Sequence, residues 1–335
     1  MKILLTGGLG YIGSHVAVEI LNRGDEVIIA DNLSNSKLNV LDKIEKITGK
    51  RPIFYKIDVC KKRALERIFK EHKIYAIIHF AGFKAVGESV AKPLMYYQNN
   101  MISTFNILEL MEKYGVKNII FSSSATVYAQ SEVQPLDETF PLSASNPYGR
   151  TKLFNEHVLI DYQKVHEGTN VVLLRYFNPI GAHESGLLGE DPNGIPNNLM
   201  PYICKVAVGE LDHLNVFGND YKTKDGTGVR DYIHVVDLAV GHVKALEKIK
   251  KENIGLGIYN LGTGTGYSVL DIVNTFNKVN GNLVKYEIGP RRPGDIDECY
   301  ASSKKAEKEL GFKATKTLED MCRSSYEYQK NNRKK

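Results

Sequence analysis

Lys2-Ile3-Leu4-Leu5-Thr6-Gly7-Gly8-Leu9-Gly10-Tyr11-Ile12-Gly13 is the stretch that decides the fold. The apolar run Lys2–Thr6 reads as a short buried strand. Ile12, Val16, Ile20 and Leu21 then recur at helical spacing, and Gly24 supplies a stop. Between strand and helix the glycines follow a G-x-x-G-x-x-G spacing. Gly7 permits the tight turn, Gly10 lets main-chain amides approach a pyrophosphate, and Gly13 lets the helix sit close to the strand; phosphates then meet the positive helix N-terminus. A second apolar run, residues 26–30, ends on Asp31, 18 residues after Gly13. A carboxylate there accepts both ribose hydroxyls and repels a 2′-phosphate. Strand, glycine loop, helix and acid together point to NAD, rather than NADP, on a Rossmann-type sheet.

Working outward, residues 53–57, 76–80, 118–122 and 171–175 form further β-rich runs separated by helical patterns. Most are nearly continuous in apolar residues, as strands covered on both faces are. Helical connections between them imply a doubly wound parallel sheet in an α/β fold. After Asn178 the character changes. Gly, Pro and Asn become frequent through residues 181–201 and 218–228, in loops of the kind that carry binding residues. A helix over 235–248 and a strand over 257–261 follow. The expected division is a dinucleotide-binding domain over 1–178 and a smaller α/β substrate domain over 179–335, with part of 229–262 packing back onto the first.

The 335 residues suffice for two such domains, and a hydrophobic fraction of 42% with 25% charged residues is that of an ordinary soluble protein. The net charge of +5 is mild. Lys330, Arg333, Lys334 and Lys335 at the end of the chain leave its body nearly neutral, which argues against nucleic acid as a partner. Cys60, Cys204, Cys299 and Cys322 are far apart, without C-x-x-C or metal-ligand spacing. Reduced thiols in a cytoplasmic protein, and no metal, are the expectation. Ile3-Leu4-Leu5 is interrupted at once by Thr6-Gly7-Gly8, so neither a signal peptide nor a membrane span is expected there.

Ser145-Asn146-Pro147-Tyr148 reads as a helix start, with proline in the first turn. Tyr148 and Lys152 are then four apart on one helix face. A phenol with a pKa near 10 is a poor base at neutral pH, and bringing it to neutrality takes roughly 4 kcal/mol of preferential phenolate stabilisation. A lysine ammonium one turn away supplies part of that, and a positive nicotinamide ring can supply more. Ser122-Ser123-Ser124 ends a predicted strand, where such a sheet presents ligand-facing groups.

These elements together resemble the extended short-chain dehydrogenase/reductase superfamily, and within it the UDP-galactose 4-epimerase family. Asp31-Asn32-Leu33-Ser34-Asn35-Ser36, residues 79–89 and residues 121–128 carry the narrower resemblance. So do Leu174-Arg175-Tyr176-Phe177-Asn178-Pro179, residues 194–201 and Gly228-Val229-Arg230-Asp231-Tyr232-Ile233-His234. It runs from Met1 to about Gln329. The resemblance implies NAD contacts at Tyr11, Ile12, Asp31, Asn32, Leu33, Asn35, Ser36, Asp58, Val59, Phe80, Ala81, Gly82, Lys84, Asn99, Ser122 and Phe177. It implies Tyr148 as base, Lys152 as its electrostatic partner and a ribose ligand, and Ser124 as a hydrogen-bond partner of the sugar 4-hydroxyl. UDP-sugar contacts are implied at Asn178, Asn198, Leu199, Asn215, Val216, Phe217, Arg230, Arg291, Arg292 and Asp295. Independently of any family, a diphosphate calls for guanidinium groups, which bind phosphate oxygens in bidentate fashion.

The activity so implied is reversible 4-epimerisation of UDP-hexoses through a 4-keto sugar, with tightly held NAD and a homodimer formed through Pro93–Tyr114 and residues 150–163. A sugar-nucleotide 4,6-dehydratase starts with the same oxidation but needs an acid and a base soon after the strand serine, where this chain has Ala125-Thr126. A UDP-glucuronate epimerase or decarboxylase fits the loop segments less well, and a non-catalytic NAD sensor would not need both Tyr148 and Lys152. In the family, the position four residues after the aspartate of R-R-x-G-D lies near the sugar C2 substituent. Here it is Cys299, small enough to leave room for an N-acetyl group, so UDP-GlcNAc/UDP-GalNAc is an expected second substrate pair.

Overall fold

The computed structural model describes residues 1–193, 196, 198–292 and 295–332. Gly194, Ile195 and Asn197, Pro293 and Gly294 of the R-R-P-G-D loop, and the basic tail Arg333, Lys334 and Lys335 lie outside the described residues.

The chain begins with β1 (Lys2–Thr6), α1 (Tyr11–Asn22), β2 (Glu26–Asp31), α2 (Val40–Thr48), β3 (Ile53–Lys56), α3 (Lys62–Glu71) and β4 (Ala76–His79). It continues with α4 (Val86–Ala91), α5 (Pro93–Tyr114), β5 (Asn118–Ser124), α6 (Pro147–Val165) and β6 (Asn170–Tyr176). The second half holds β7 (Asn178–Ile180), α7 (Leu199–Ala207), β8 (Leu214–Phe217), β9 (Val229–His234), α8 (Val235–Lys251) and β10 (Leu256–Leu261). Then come β11 (Gly266–Ser268), α9 (Val269–Asn280), β12 (Tyr286–Gly289), β13 (Glu298–Cys299), α10 (Lys304–Leu310) and α11 (Leu318–Asn332).

Seven strands form one parallel sheet in the order β10-β6-β5-β4-β1-β2-β3. The near-continuous apolar runs have a direct cause. Ile3, Leu5, Ile29, Ile78, Ile120 and Leu174 face a layer containing α1 and α8, while Leu4, Ile28, Ile77, Ile119 and Leu173 face α3, α5 and α6. Every one of these side chains is fully buried. At about 1.5–3 kcal/mol for each buried aliphatic side chain, the two layers supply the main drive for folding. Strand order reverses between β1 and β4, so the carboxyl ends of those strands open a crevice, which is where such sheets bind ligands.

The strands match the expected runs to within one or two residues. The largest difference is β5, which runs on to Ser124 rather than Ser122 and so carries all three serines to the mouth of the crevice. α8 packs on α1, and β10 joins the edge of the large sheet beside β6. The remaining strands build a separate layer: β9 is flanked by β11 and β13 and pairs also with β7, while β8 and β12 form a two-stranded ribbon. α7, α9 and α11 cover that layer around Ile203, Phe276 and Met321.

Candidate active site

A cleft of about 750 Å³ runs along the carboxyl ends of the large sheet. Its floor is the glycine loop. Gly7 has φ +69°, and a Cβ there would stand 2.8 Å from the Ala81 amide nitrogen; one on Gly13 would meet the Gly7 carbonyl oxygen at 2.6 Å. Both glycines are therefore fixed by close main-chain approach. Gly10 caps α1 in extended conformation with no side chain over the first-turn amides, leaving an anion cradle at the helix N-terminus. Asp31 ends β2 buried, and accepts hydrogen bonds from the Leu9 amide (3.0 Å), the Leu33 amide (2.9 Å) and the Ser36 hydroxyl (2.8 Å). One carboxylate thus sets the shape of the glycine loop and of the turn after β2. These features fit a dinucleotide.

Around this floor stand Gly7, Gly10, Tyr11, Ile12, Gly13, Asp31, Asn32, Asn35, Ser36, Asp58, Val59, Phe80, Ala81, Gly82, Lys84, Asn99, Ser122, Tyr148 and Lys152. Two residues expected here are not in the wall. Leu33 packs its side chain against the apolar layer around α1, and Phe177 is buried among Val127, Leu136 and Leu153. An apolar side chain beside a polar cleft gains more from the adjacent core than from the cleft wall.

At the inner end of the cleft α6 meets the end of β5. Asn146 caps α6 by accepting from the Gly149 amide (2.9 Å). A Cβ on Gly149 would lie 2.8 Å from the Thr126 carbonyl oxygen, so this glycine lets the first turn of α6 press against the turn after Ser124. Tyr148 is thereby held beside the Ser124 hydroxyl, which also accepts from the Thr126 amide (3.2 Å) and hydroxyl (3.0 Å). Lys152 donates from Nζ to the Ser122 carbonyl (2.6 Å); its ammonium lies 5.9 Å from the Tyr148 ring centroid and 5.0 Å from that of Phe121. Burial brings the Lys152 pKa down to about 8, against the pull of Glu156. Within the protein alone burial raises the Tyr148 pKa, and the Ser124 hydroxyl offsets this only in part. Desolvation of the phenolate outweighs the polar neighbours the chain itself provides.

The residues expected to hold a UDP-sugar lie on the smaller layer. None is in the wall of the cleft just described, and several converge on β9. Asn178 sits opposite Tyr232, and Cys299 opposite Arg230. Arg230 donates to the main-chain carbonyls of Val229 (2.8 Å) and Ile296 (3.0 Å). Arg292 pairs with Asp295 (2.9 Å) and lies over the Phe217 ring, and Arg291 pairs with Asp220 (2.6 Å) and stacks on Tyr221. The three guanidinium groups are thus gathered near one another, each held by local acceptors. Asn215 and Phe217 point outward from β8, but Val216 does not: its side chain is buried with Leu214 in the small core, so it offers a ligand only its main chain. Leu199 packs against that core from the start of α7, after Asn198. Cys299 packs against the cluster that holds Ala125, Val127 and Phe177, and burial pushes its thiol up to about 11.

Several wall residues escaped the sequence reading. Residues 188–193 reach from the second half of the chain across the cleft, Tyr328 of α11 lies beneath them, and Lys37 and Lys43 stand at the outer end. Only the glycine- and proline-rich composition of that stretch signalled a binding loop. Among the described residues no cluster of His, Cys, Asp or Glu side chains is arranged to hold a metal ion, and no helix is long and apolar enough to cross a membrane.

Comparison with known proteins shows the family. Residues 4–325 match the family model described as GDP-mannose 4,6 dehydratase. Over 332 residues the chain is 59% identical to the UDP-glucose 4-epimerase of Bacillus subtilis, covering 99% of this chain and 98% of that one. The crystal structure of UDP-glucose 4-epimerase from Bifidobacterium longum, in complex with NAD+ and UDP, is 54% identical with a TM-score of 0.96, covering 99% of each chain. The UDP-Glc/GlcNAc 4-epimerase of Campylobacter jejuni is 35% identical with a TM-score of 0.85, covering 98% of this chain and 99% of that one.

Proposed function

The chain belongs to the family of the GDP-mannose 4,6 dehydratase model and, by its relatives, to the UDP-glucose 4-epimerases, and from that premise we propose how its residues act. The reaction is the reversible 4-epimerisation of UDP-hexoses, UDP-glucose and UDP-galactose among them, with NAD as the resident cofactor. The observation that carries this reading is the convergence of Tyr148, Ser124 and Lys152 at the inner end of a dinucleotide cleft.

When bound, NAD supplies a hydride acceptor, and then donor, beside a positive nicotinamide ring. Gly7, Gly10 and Gly13 would admit its pyrophosphate to the N-terminus of α1, and Asp31 would hold its adenosine ribose. Tyr148 takes the proton from the sugar 4-hydroxyl as hydride leaves C4, and Ser124 holds that hydroxyl in line. Burial alone raises the Tyr148 pKa, so the phenolate is available only when positive charge stands close by. Lys152 contributes one such charge and the nicotinamide the other. The site would have to let the oxidised sugar turn over, and once the opposite face has been reduced Tyr148 would give the proton back to O4. Turning requires a loosely held hexose, so binding energy belongs on the UDP moiety. Arg230, Arg291 and Arg292 would exchange their present acceptors for phosphate oxygens, with Asn178, Asn198, Leu199, Asn215, Phe217 and the Val216 main chain around the rest of the nucleotide sugar.

The dehydratase named by the family model would need an acid and a base after the strand serine. Ala125 and Thr126 stand there, and Thr126 spends its amide and hydroxyl on Ser124. Cys299, opposite Arg230 and packed on the cluster that includes Ala125, is a small side chain, and on that ground we extend the proposed substrates to UDP-GlcNAc and UDP-GalNAc. A homodimer in the cytoplasm completes the proposal; the four cysteines are free thiols. The test is incubation with UDP-galactose, and separately with UDP-GlcNAc, with no added cofactor. Chromatography should show UDP-glucose and UDP-GalNAc forming. A dehydrated product, or no product, would overturn the reading.

A further inference from the structure

Residues 188–193 cross the cleft from the substrate half of the molecule, and their attachments are specific. Asn193 donates from its amide to the Asn35 side-chain oxygen (3.0 Å) and from Nδ2 to the Ser34 carbonyl (3.2 Å), and Asp191 pairs with Lys37. Gly189 lies so close to the Tyr328 ring that a Cβ would stand 2.5 Å from it. The outer attachments are half-exposed and so individually weak. At the inner end the situation differs. The Glu190 side chain is only 10% exposed, and its Oε1 accepts from both Lys84 Nζ (3.1 Å) and Asn198 Nδ2 (2.7 Å).

These two donors come from opposite sides of the site. Lys84 follows β4 in the cofactor cleft, whereas Asn198 opens α7 in the substrate half. Asn198 occupies the N-cap position, where an asparagine side chain ordinarily accepts from its own helix, yet it makes no such bond. Its amide group is directed to Glu190 instead. Glu190 also lines a small second cavity beneath the strap, with Tyr11, Met200 and Cys204, so it stands at the junction between the two compartments. Lys84 has three donor hydrogens, and one bond to Glu190 leaves two for a ligand in the cleft.

We propose that Glu190 is a positioning residue that ties Lys84 to Asn198, so that the strap 188–193 retains NAD and its hold tightens when the UDP site is filled. This rests on the assignment of Lys84 to the cofactor and of Asn198 to the sugar nucleotide. A ligand that fixes Asn198 also fixes Glu190, and with it the strap over the dinucleotide. By reciprocity, bound NAD raises affinity for the nucleotide sugar. An enzyme whose cofactor is reduced and reoxidised in place gains from this arrangement, because reduced cofactor cannot escape while a keto sugar is present.

The test compares purified holoenzyme with Glu190→Gln, Glu190→Ala and Asn198→Ala, each checked for folding by its thermal melt. NAD release into a filtrate is timed with and without UDP, and UDP-galactose turnover is measured with and without added NAD. In the wild type UDP should slow release on the order of tenfold, a usual size for coupling between sites. Glu190→Ala should release NAD about tenfold faster, with no slowing by UDP, and excess NAD should recover its turnover. Glu190→Gln keeps an oxygen acceptor for Asn198 and should retain part of the UDP effect; Asn198→Ala should lose that effect. Release from Glu190→Ala at the wild-type rate, or slowed equally by UDP, would overturn the proposal while leaving the epimerase reading intact. A wild-type protein that carries no NAD, or leaves UDP-galactose unchanged, would overturn both.

Discussion

At the scale of single residues the proposed chemistry depends on one phenol, Tyr148, whose burial disfavours its ionisation. Tyr148→Phe removes the proton acceptor but leaves the glycine loop and Asp31 in place. Turnover should fall by about a thousandfold, within the range for loss of a general base, while the NAD content of the purified protein stays near stoichiometric. Retained turnover would refute the base assignment. Lys152 gives this site a pH dependence. Its burial lowers the pKa to about 8, so the ammonium that supports the phenolate is present below that pH and is lost as pH rises through it. The kcat/KM profile should therefore descend on the alkaline side near pH 8, and Lys152→Met should be slower at every pH and lack that limb. An unchanged limb in Lys152→Met would assign it to another group. Cys299 bears on substrate range. Cys299→Tyr fills the space assigned to an acetamido group, and overpacking of about 1–3 kcal/mol lowers kcat/KM for UDP-GlcNAc on the order of 10–100-fold. Turnover of UDP-galactose should change far less, and equal losses on both substrates would refute the role.

At the scale of elements, the question is how α6 is held so that Tyr148 meets Ser124. Gly149 allows the close approach, and a buried ion pair fixes the helix farther along. Glu156 of α6 receives Arg175 of β6 in bidentate fashion (2.7 and 3.0 Å), and the Ser123 hydroxyl of β5 also donates to it. Both charged side chains are almost fully buried, and Tyr128 accepts from Arg175 at 3.0 Å. Replacing such a pair wholesale can be neutral, but removing one partner leaves a stranded charge. Glu156→Gln should therefore destabilise the fold by about 3 kcal/mol, read as a fall of several degrees in Tm. Glu156→Gln paired with Arg175→Met should recover much of that loss; a single variant as stable as wild type would show that the pair is not needed. Local elements of this kind were legible in the sequence because their signals are local. The β1–α1 glycine loop, the acid ending β2 and the capped start of α6 each reside within a few residues. What the sequence did not disclose depends on long-range packing. The outward or inward sense of Val216 is set by which face of β8 meets the small core, Leu33 and Phe177 are drawn to neighbouring apolar clusters, and the depth at which Tyr148 is buried, which raises its pKa, depends on how α6 packs.

At the scale of the whole molecule, the same long-range dependence explains why the strap over the cleft went unread: its partners, from Ser34 to Tyr328, are spread across the chain. It also bears on assembly. α5 and α6 pack together on one face of the large sheet, and each leaves apolar side chains in solvent. Leu94 is 73% exposed, Ile102 and Phe105 about two-fifths each, and Phe154 44%, with the Tyr97 ring stacked on Phe154. Because α6 also carries Tyr148 and Lys152, whatever covers this face stiffens the catalytic helix. We propose that this two-helix face packs on its own copy about a two-fold axis, as two-fold dimers bury one patch against itself, in a four-helix arrangement. A homodimer therefore follows as a proposal that needs no further partner. Light scattering at micromolar concentration should give twice the 37.5 kDa chain mass. Phe105→Glu together with Phe154→Glu places two charges on each copy at the centre of the face, where desolvation and like-charge repulsion oppose association. That variant should scatter as a monomer and, with α6 less constrained, turn over more slowly. A monomeric wild-type protein would refute the homodimer, and a doubly charged variant that still dimerises would place the interface elsewhere.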